Sequence, residues 1–206
     1  MSAARDQIFS RVNAALAPLK ERAPLPDWDA ELAIMRKLLD GRDPWLVFVE
    51  RLIAVNGRAF TDAAALAADL RSAGWTHGYC DPALWPALAP AFAAIGGFTV
   101  ETTFDRSRVD DYQFGITRAA GAVAETGTLI LTDGLTTSRL AALAPWVHVA
   151  AVCRNEVFAD LQAAVAAMPK DSNVIWATGP SKTADVEGIL IEGVHGPGQQ
   201  YALLID

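Results

Sequence analysis

The chain has 206 residues, 52% of them hydrophobic and 20% charged, which is enough apolar material for the core of a compact domain and excludes a disordered chain. Its 17 basic residues against 24 acidic ones leave a net charge of -7, so a phosphate backbone is repelled and a nucleic-acid partner is disfavoured. The two cysteines, Cys80 and Cys153, form no CxxC pair; this chain alone therefore holds neither a zinc site nor an iron-sulfur cluster, and both read as small buried residues of a reducing compartment.

The start, MSAARDQIFSRV, meets Asp6 before any continuous apolar run, so it is no secretory signal and a cytoplasmic location is expected. Residues 5 to 17 carry a helical pattern, and Pro18, Pro24 and Pro26 interrupt it. A second helix is expected in WDAELAIMRKLLDG, with Leu32, Met35 and Leu39 on one face and Gly41 at its end. Asp43-Pro44 then supplies a cap and a first-turn proline to WLVFVERLIAVNG. Residues 1–57 thus read as an N-terminal helical extension without chemistry of its own.

From residue 58 to residue 206 short apolar runs alternate with helical patterns. Strands are expected in GRAFT, WTHGYC, FTVETTF, TLILT, WVHVAAVC, NVIWATG and YALLID; helices are expected in TDAAALAADLRSAG, TTSRLAALAP and NEVFADLQAAVAAMP, the last capped by Asn155. The uncharged stretch PALWPALAPAFAAIGGFTV is long enough to cross a bilayer, but Pro82, Pro86, Pro90 and Gly96-Gly97 break it and no basic cluster flanks it. It reads as an Ala-rich helix followed by a strand, with no membrane partner. The expected fold class is α/β: an open, mostly parallel sheet flanked by helices.

Ligands of such sheets bind outside the carboxyl ends of the strands. That places Asp81, Asp105 to Arg108, Asp133 with Thr136 to Arg139, Arg154-Asn155 and Gly179 to Asp185 on one expected rim. In TGPSKTAD, a strand leads through Gly179-Pro180 into Ser181, Lys182 and Thr183 and then a helical pattern at Val186, Ile189, Leu190, Gly193 and Val194. Free N–H groups, hydroxyls and an ammonium there suit a phosphate or carboxylate, although the loop lacks the glycines of a Walker A motif. The bland alternative has Ser181 or Thr183 capping a helix and Lys182 solvated.

In AETGTLILTD, Glu125 sits among small and apolar residues. It could serve as base, nucleophile or hydroxyl acceptor, or it could accept N–H bonds and only fix the backbone. It reaches the rim if GAVA is a strand and Glu125-Thr126-Gly127 a reversing turn. His77 and His148 form no metal pattern, and His148 in WVHVAAV points into sheet packing. His195 lies among Gly193, Gly196 and Gly198, with Asp185 or Glu187 available to orient its ring; a triad with Ser181 lacks the GxSxG elbow.

AGAVAETGTLIL, RLAALAPWVHVAAV and GPSKTADVEGILIEGVHGPGQQYALLID together closely resemble the lactate-utilisation protein C family, whose shared module is the LUD domain. The likeness runs from about Phe114 to the C-terminus. It implies a Rossmann-like fold related to sugar-phosphate isomerases and CoA transferases, and a role in oxidising L-lactate to pyruvate beside iron-sulfur partner proteins. With no flavin or nicotinamide fingerprint in this chain, electron transfer is expected in those partners, which would carry the clusters. The candidate chemical residues are Glu125, Asp185 and His195. The candidate ligand-binding residues are Thr126, Gly127, Thr128, Gly179, Ser181, Lys182, Thr183, Glu187 and Gly196, around a small carboxylate or phosphorylated ligand and without a metal. Three readings stay open: an accessory or regulatory subunit of lactate oxidation, a stand-alone isomerase or acyl-CoA transferase using Glu125, and a purely structural module in which these motifs only fix turns.

Overall fold

A computed structural model describes residues 3–18, 41–168, 173–184 and 190–205. The chain divides into two compact units, Met1–Ile34 and Met35–Asp206. In the first, helix α1 runs over Ala3–Leu16. The second helix expected from the sequence, over residues 28 to 40, lies outside the described residues apart from its closing Gly41.

Helix α2, Pro44–Ala54, starts as its sequence dictates: the Asp43 carboxylate accepts the Trp45 N–H and Pro44 occupies the first turn. Trp45, Val47, Phe48 and Leu52 are buried. This helix belongs to the Met35–Asp206 unit and contributes to its core, although the sequence pattern groups it with the N-terminal extension.

The main sheet has six strands in the order β1-β12-β7-β4-β2-β3, with every neighbouring pair parallel. Its members are β1 (Arg58–Phe60), β2 (His77–Cys80), β3 (Thr99–Glu101), β4 (Phe114–Arg118), β7 (Val147–Cys153) and β12 (Gln199–Ile205). Helices α3 (Ala63–Ser72) and α4 (Trp85–Ile95) cover one face, burying Leu66, Leu70, Leu88 and Phe92 against Phe114, Ile116, Val149 and Leu203. The Ala-Pro-rich stretch is therefore α4 followed by β3. Among the described residues no helix is long and apolar enough to cross a membrane.

The opposite face is covered by a second, four-stranded sheet of order β8-β5-β6-β9. It comprises β5 (Gly121–Val123), β6 (Thr128–Thr132), β8 (Val157–Phe158) and β9 (Val174–Thr178), with β5-β6 and β6-β9 antiparallel. Strand alternation allots the core: Ala150, Val152 and Ala202 face α2, Leu129 and Leu131, while Val147, Val149 and Leu203 face α3 and α4. A seven-residue strand such as β7 can be buried over six of its residues, all apolar but His148, because both faces are covered.

This second sheet and a separate two-stranded one alter three expectations. TLILT and VIWAT belong to it and not to the parallel sheet. They run antiparallel, with Thr132 opposite Val174 and Thr128 opposite Thr178, so the loops at 133–139 and 179–181 leave opposite ends and share no rim. The helix expected from Asn155 begins only at Leu161, as α6 (Leu161–Ala167) capped by Asp160; Val157 is spent on pairing β8 with β5. Finally, Leu190–Glu192 is a strand, β11, paired with β10 (Lys182–Ala184), and not the body of a helix. Cross-strand pairing of Thr183 with Ile191 wins there over the helical spacing.

Gly115 shows how closely the layers meet. A Cβ there would run into the Ala141 carbonyl oxygen of α5 (Arg139–Leu143), which lies directly on β4. Gly115→Ala is expected to destabilise the domain by about 1–3 kcal/mol through overpacking, read as a lower urea midpoint at unchanged m. An unchanged midpoint would show that this contact yields freely.

Candidate functional site

The reversing turn at Glu125-Thr126-Gly127 and the turn after β9 both close on the end of α2. Gly127 has φ +70°, and a Cβ on it would stand 2.5 Å from the Leu52 nitrogen; Gly179 has φ +73°, and a Cβ on it would stand 2.5 Å from the Val55 oxygen. Only glycine combines that backbone conformation with that approach. Between the two turns the hydroxyls of Thr126, Thr128 and Thr178 form a chain with successive 2.7 Å contacts. The two motif segments are thus neighbours.

They open, however, onto different hollows. A cavity of about 220 Å³ lies at the β9 edge of the two sheets, walled by Thr178 to Ser181, His195 to Pro197, Leu143 and Trp176. Its wall is tied by the Ser181 N–H donating to the Pro197 oxygen and the Gly193 N–H donating to the Ser181 oxygen, both at 2.9 Å. Gly193 and Gly198 leave room for the Trp146 indole, and Gly196 stands against the Ser181 side chain. On the outer face of the second sheet a separate hollow of about 430 Å³ is lined by Thr126, Thr128, Leu161, Val165, Trp176 and Thr178. Trp176 and Thr178 border both.

The cavity floor contains a polar cluster that the sequence reading did not assemble. His148 is 1% exposed; its Nδ1 lies 3.1 Å from Gln200 Oε1 and its Nε2 2.9 Å from Thr117 Oγ1. The Gln200 amide nitrogen donates to the backbone oxygens of His148 and Tyr201. Gln200 Oε1 therefore accepts from His148 Nδ1–H, and Nε2 accepts the Thr117 hydroxyl proton. Burial lowers the His148 pKa to about 4, against the opposing Gln200 hydrogen bond, so the ring is neutral near pH 7. The sequence signal was three polar residues, Thr117, His148 and Gln200, each in an apolar strand; only pairing of β12, β7 and β4 brings them together.

Two sequence candidates are engaged elsewhere. The Glu125 carboxylate accepts the Leu161 N–H at 2.8 Å, at the first residue of α6, and does not line the cavity. Lys182 donates to the Val55 oxygen at 3.3 Å and pairs with Glu192 at 3.4 Å, placing its charge at the carboxyl end of α2. Hydrogen bonds from Asn56 and then Lys182 hold the Glu192 carboxyl below its ordinary range. Thr183 lies in β10, while Asp185 and Glu187 fall outside the described residues. Ser181, Gly179, His195 and Gly196 do line the cavity. Among the described residues no three His, Cys, Asp or Glu side chains gather as metal ligands.

The family model described as LUD domain matches residues 89–205, which include the cavity floor and wall. The chain belongs to the LUD domain family. Lactate utilization protein C of Deinococcus radiodurans is 26% identical over 211 residues, covering 98% of this chain and 95% of that protein. The Halalkalibacterium halodurans protein of the same name is 32% identical over 107 residues, covering 48% of this chain and 46% of its own length. A crystal structure of a DUF162 family protein from Deinococcus radiodurans superimposes with TM-score 0.54 at 21% identity, covering 79% of this chain and 96% of that chain, so the fold is shared.

The buried neutral His148 gives this LUD domain a pH signature. Its folded pKa of about 4 lies below the ordinary 6.5, so the stability it lends is complete above about pH 6.5 and is lost as the pH falls toward 4, with a slope of at most about 1.4 kcal/mol per pH unit. Urea unfolding of wild type and His148→Gln between those limits should show the variant lacking that component. Parallel curves would contradict a buried neutral ring.

Proposed function

We propose that this LUD domain protein is a cytoplasmic accessory or regulatory subunit of an L-lactate-to-pyruvate oxidation system, and that its inter-sheet cavity receives a small carboxylate. One observation carries the ligand reading. The Ser181 hydroxyl and the His195 ring, on the cavity wall, make no hydrogen bond within the chain among the described residues, whereas the polar floor beneath them is fully paired. Uncommitted donors above a saturated floor are what an incoming carboxylate or hydroxyl can use. A volume of about 220 Å³ favours a molecule of a few heavy atoms, since drug-sized ligands take roughly 300–1,000 Å³.

The lactate role is supported by the relatives named lactate utilization protein C. Oxidation of lactate to pyruvate releases two electrons and two protons. With only Cys80 and Cys153 in the sequence, this reading puts the electron-accepting clusters in iron-sulfur partner proteins. The chain's own residues bind and orient: Ser181 and His195 donate, beside the apolar surfaces of Trp176 and Leu143. Glu125, held to the Leu161 N–H outside the cavity, is given no chemical step.

Calorimetric titration with L-lactate and pyruvate tests the cavity. Binding is expected in wild type and about three- to tenfold weaker in Ser181→Ala and in His195→Gln, the worth of one hydrogen bond each. Unchanged affinity in both variants rejects the cavity as the site. Co-purification with the iron-sulfur partners and a change in their lactate oxidation on adding this chain would support the subunit role; neither association nor change would reject it.

A further inference from the structure

The carboxyl rim of the parallel sheet carries a cluster that the proposed function leaves unused. Asp81, 2% exposed at the end of β2, accepts the Ala83 N–H at 2.8 Å and the Thr137 hydroxyl, and Thr136 donates to the Arg118 oxygen at 2.9 Å. These bonds fasten the loop before α5 over the ends of β2 and β4. Beside that loop lies a hollow of about 380 Å³ lined by Arg106, Ser138, Arg139, Leu140 and Leu143.

Its polar groups are aligned as donors. Arg106 is exposed and makes no hydrogen bond or ion pair among the described residues. Arg139 is braced through Nε by Asp133 at 2.9 Å, and Asp133 is itself held by Asn173; the terminal guanidinium nitrogens of Arg139 stay available. The Ser138 oxygen accepts the Ala141 N–H at 3.2 Å, which leaves its hydroxyl proton to donate. The nearby carboxylates are already occupied: Asp105 by Ser107 and Arg108, Asp81 by Thr137, Asp133 by Arg139.

We propose that this hollow is a second ligand site, which takes the phosphate or carboxylate group of a small organic anion. Two planar guanidinium forks match the oxygens of either group, Leu140 and Leu143 offer a short apolar floor for the body of the molecule, and the carboxyl rim is where parallel sheets present ligands. Leu143 also borders the inter-sheet cavity, but the site does not depend on that cavity's function.

Calorimetry on the full chain at constant ionic strength, with inorganic phosphate and acetate as probes, tests it. At least one probe is expected to bind, about tenfold more weakly in Arg106→Gln and in Arg139→Gln, and equally in Ser181→Ala. Tighter phosphate identifies a phosphate ester as the ligand class, and tighter acetate a carboxylate. Arg106 has no partner among the described residues, so its variant should keep the wild-type melting temperature. Absence of binding by both probes, or binding that survives both arginine replacements, overturns the proposal. Because Ser181→Ala addresses only the inter-sheet cavity, the two sites fail or stand separately.

Discussion

Two left-handed glycine turns lie directly against the last turn of one helix, and the rest of the site follows from that contact. Gly127 and Gly179 meet the backbone of Leu52 and Val55 at distances no side chain would permit. Their closure sets β6 beside β9, joins Thr128 to Thr178, and leaves the segment after Gly179 facing the loop at His195 to Pro197. The helix end is satisfied in turn by Lys182, whose ammonium reaches the Val55 oxygen. A residue that looks like an anion ligand in the sequence thereby becomes a cap.

That arrangement separates charge from cavity. Lys182 is paired outside it, His148 beneath it is neutral, and Glu125 faces α6. The inter-sheet cavity is therefore a hydrogen-bonding space with little fixed charge, and its small volume suits a compact molecule. At the carboxyl rim, instead, Arg106 and the Asp133-braced Arg139 stand over an apolar floor. Burial likewise keeps reactive groups quiet: the Cys80 thiol is pushed up to about 12 by burial and then by the Asp81 charge, and the Tyr79 hydroxyl to about 12 by the same causes. Cys80 matches its reading as a buried residue, while Cys153 is half-buried and accepts a hydrogen bond from Arg118.

Much of the fold was legible locally. The cap at Asp43-Pro44, the Ala-Pro helix, the valine-rich strand before Cys153 and the hairpin turn at Glu125 to Gly127 are each written in residues close together in sequence, and each forms. Partner choice between strands was not legible. TLILT and VIWAT are apolar enough to sit in a parallel sheet, and nothing within either segment says that they pair with each other in a second layer. The expectation that the loops at 133–139 and 179–181 share a rim failed for that reason, and the floor of Thr117, His148 and Gln200 was missed for the same one, because it exists only after three strands pair.

Amide and histidine NMR shifts of the full chain during titration with L-lactate test the central claim most directly. If the inter-sheet cavity is the binding place, resonances of Ser181, His195 and Gly196 move together and saturate while those of Glu125 and Leu161 stay still. Saturating shifts centred on Glu125 and Leu161, or none at Ser181 and His195, would contradict it.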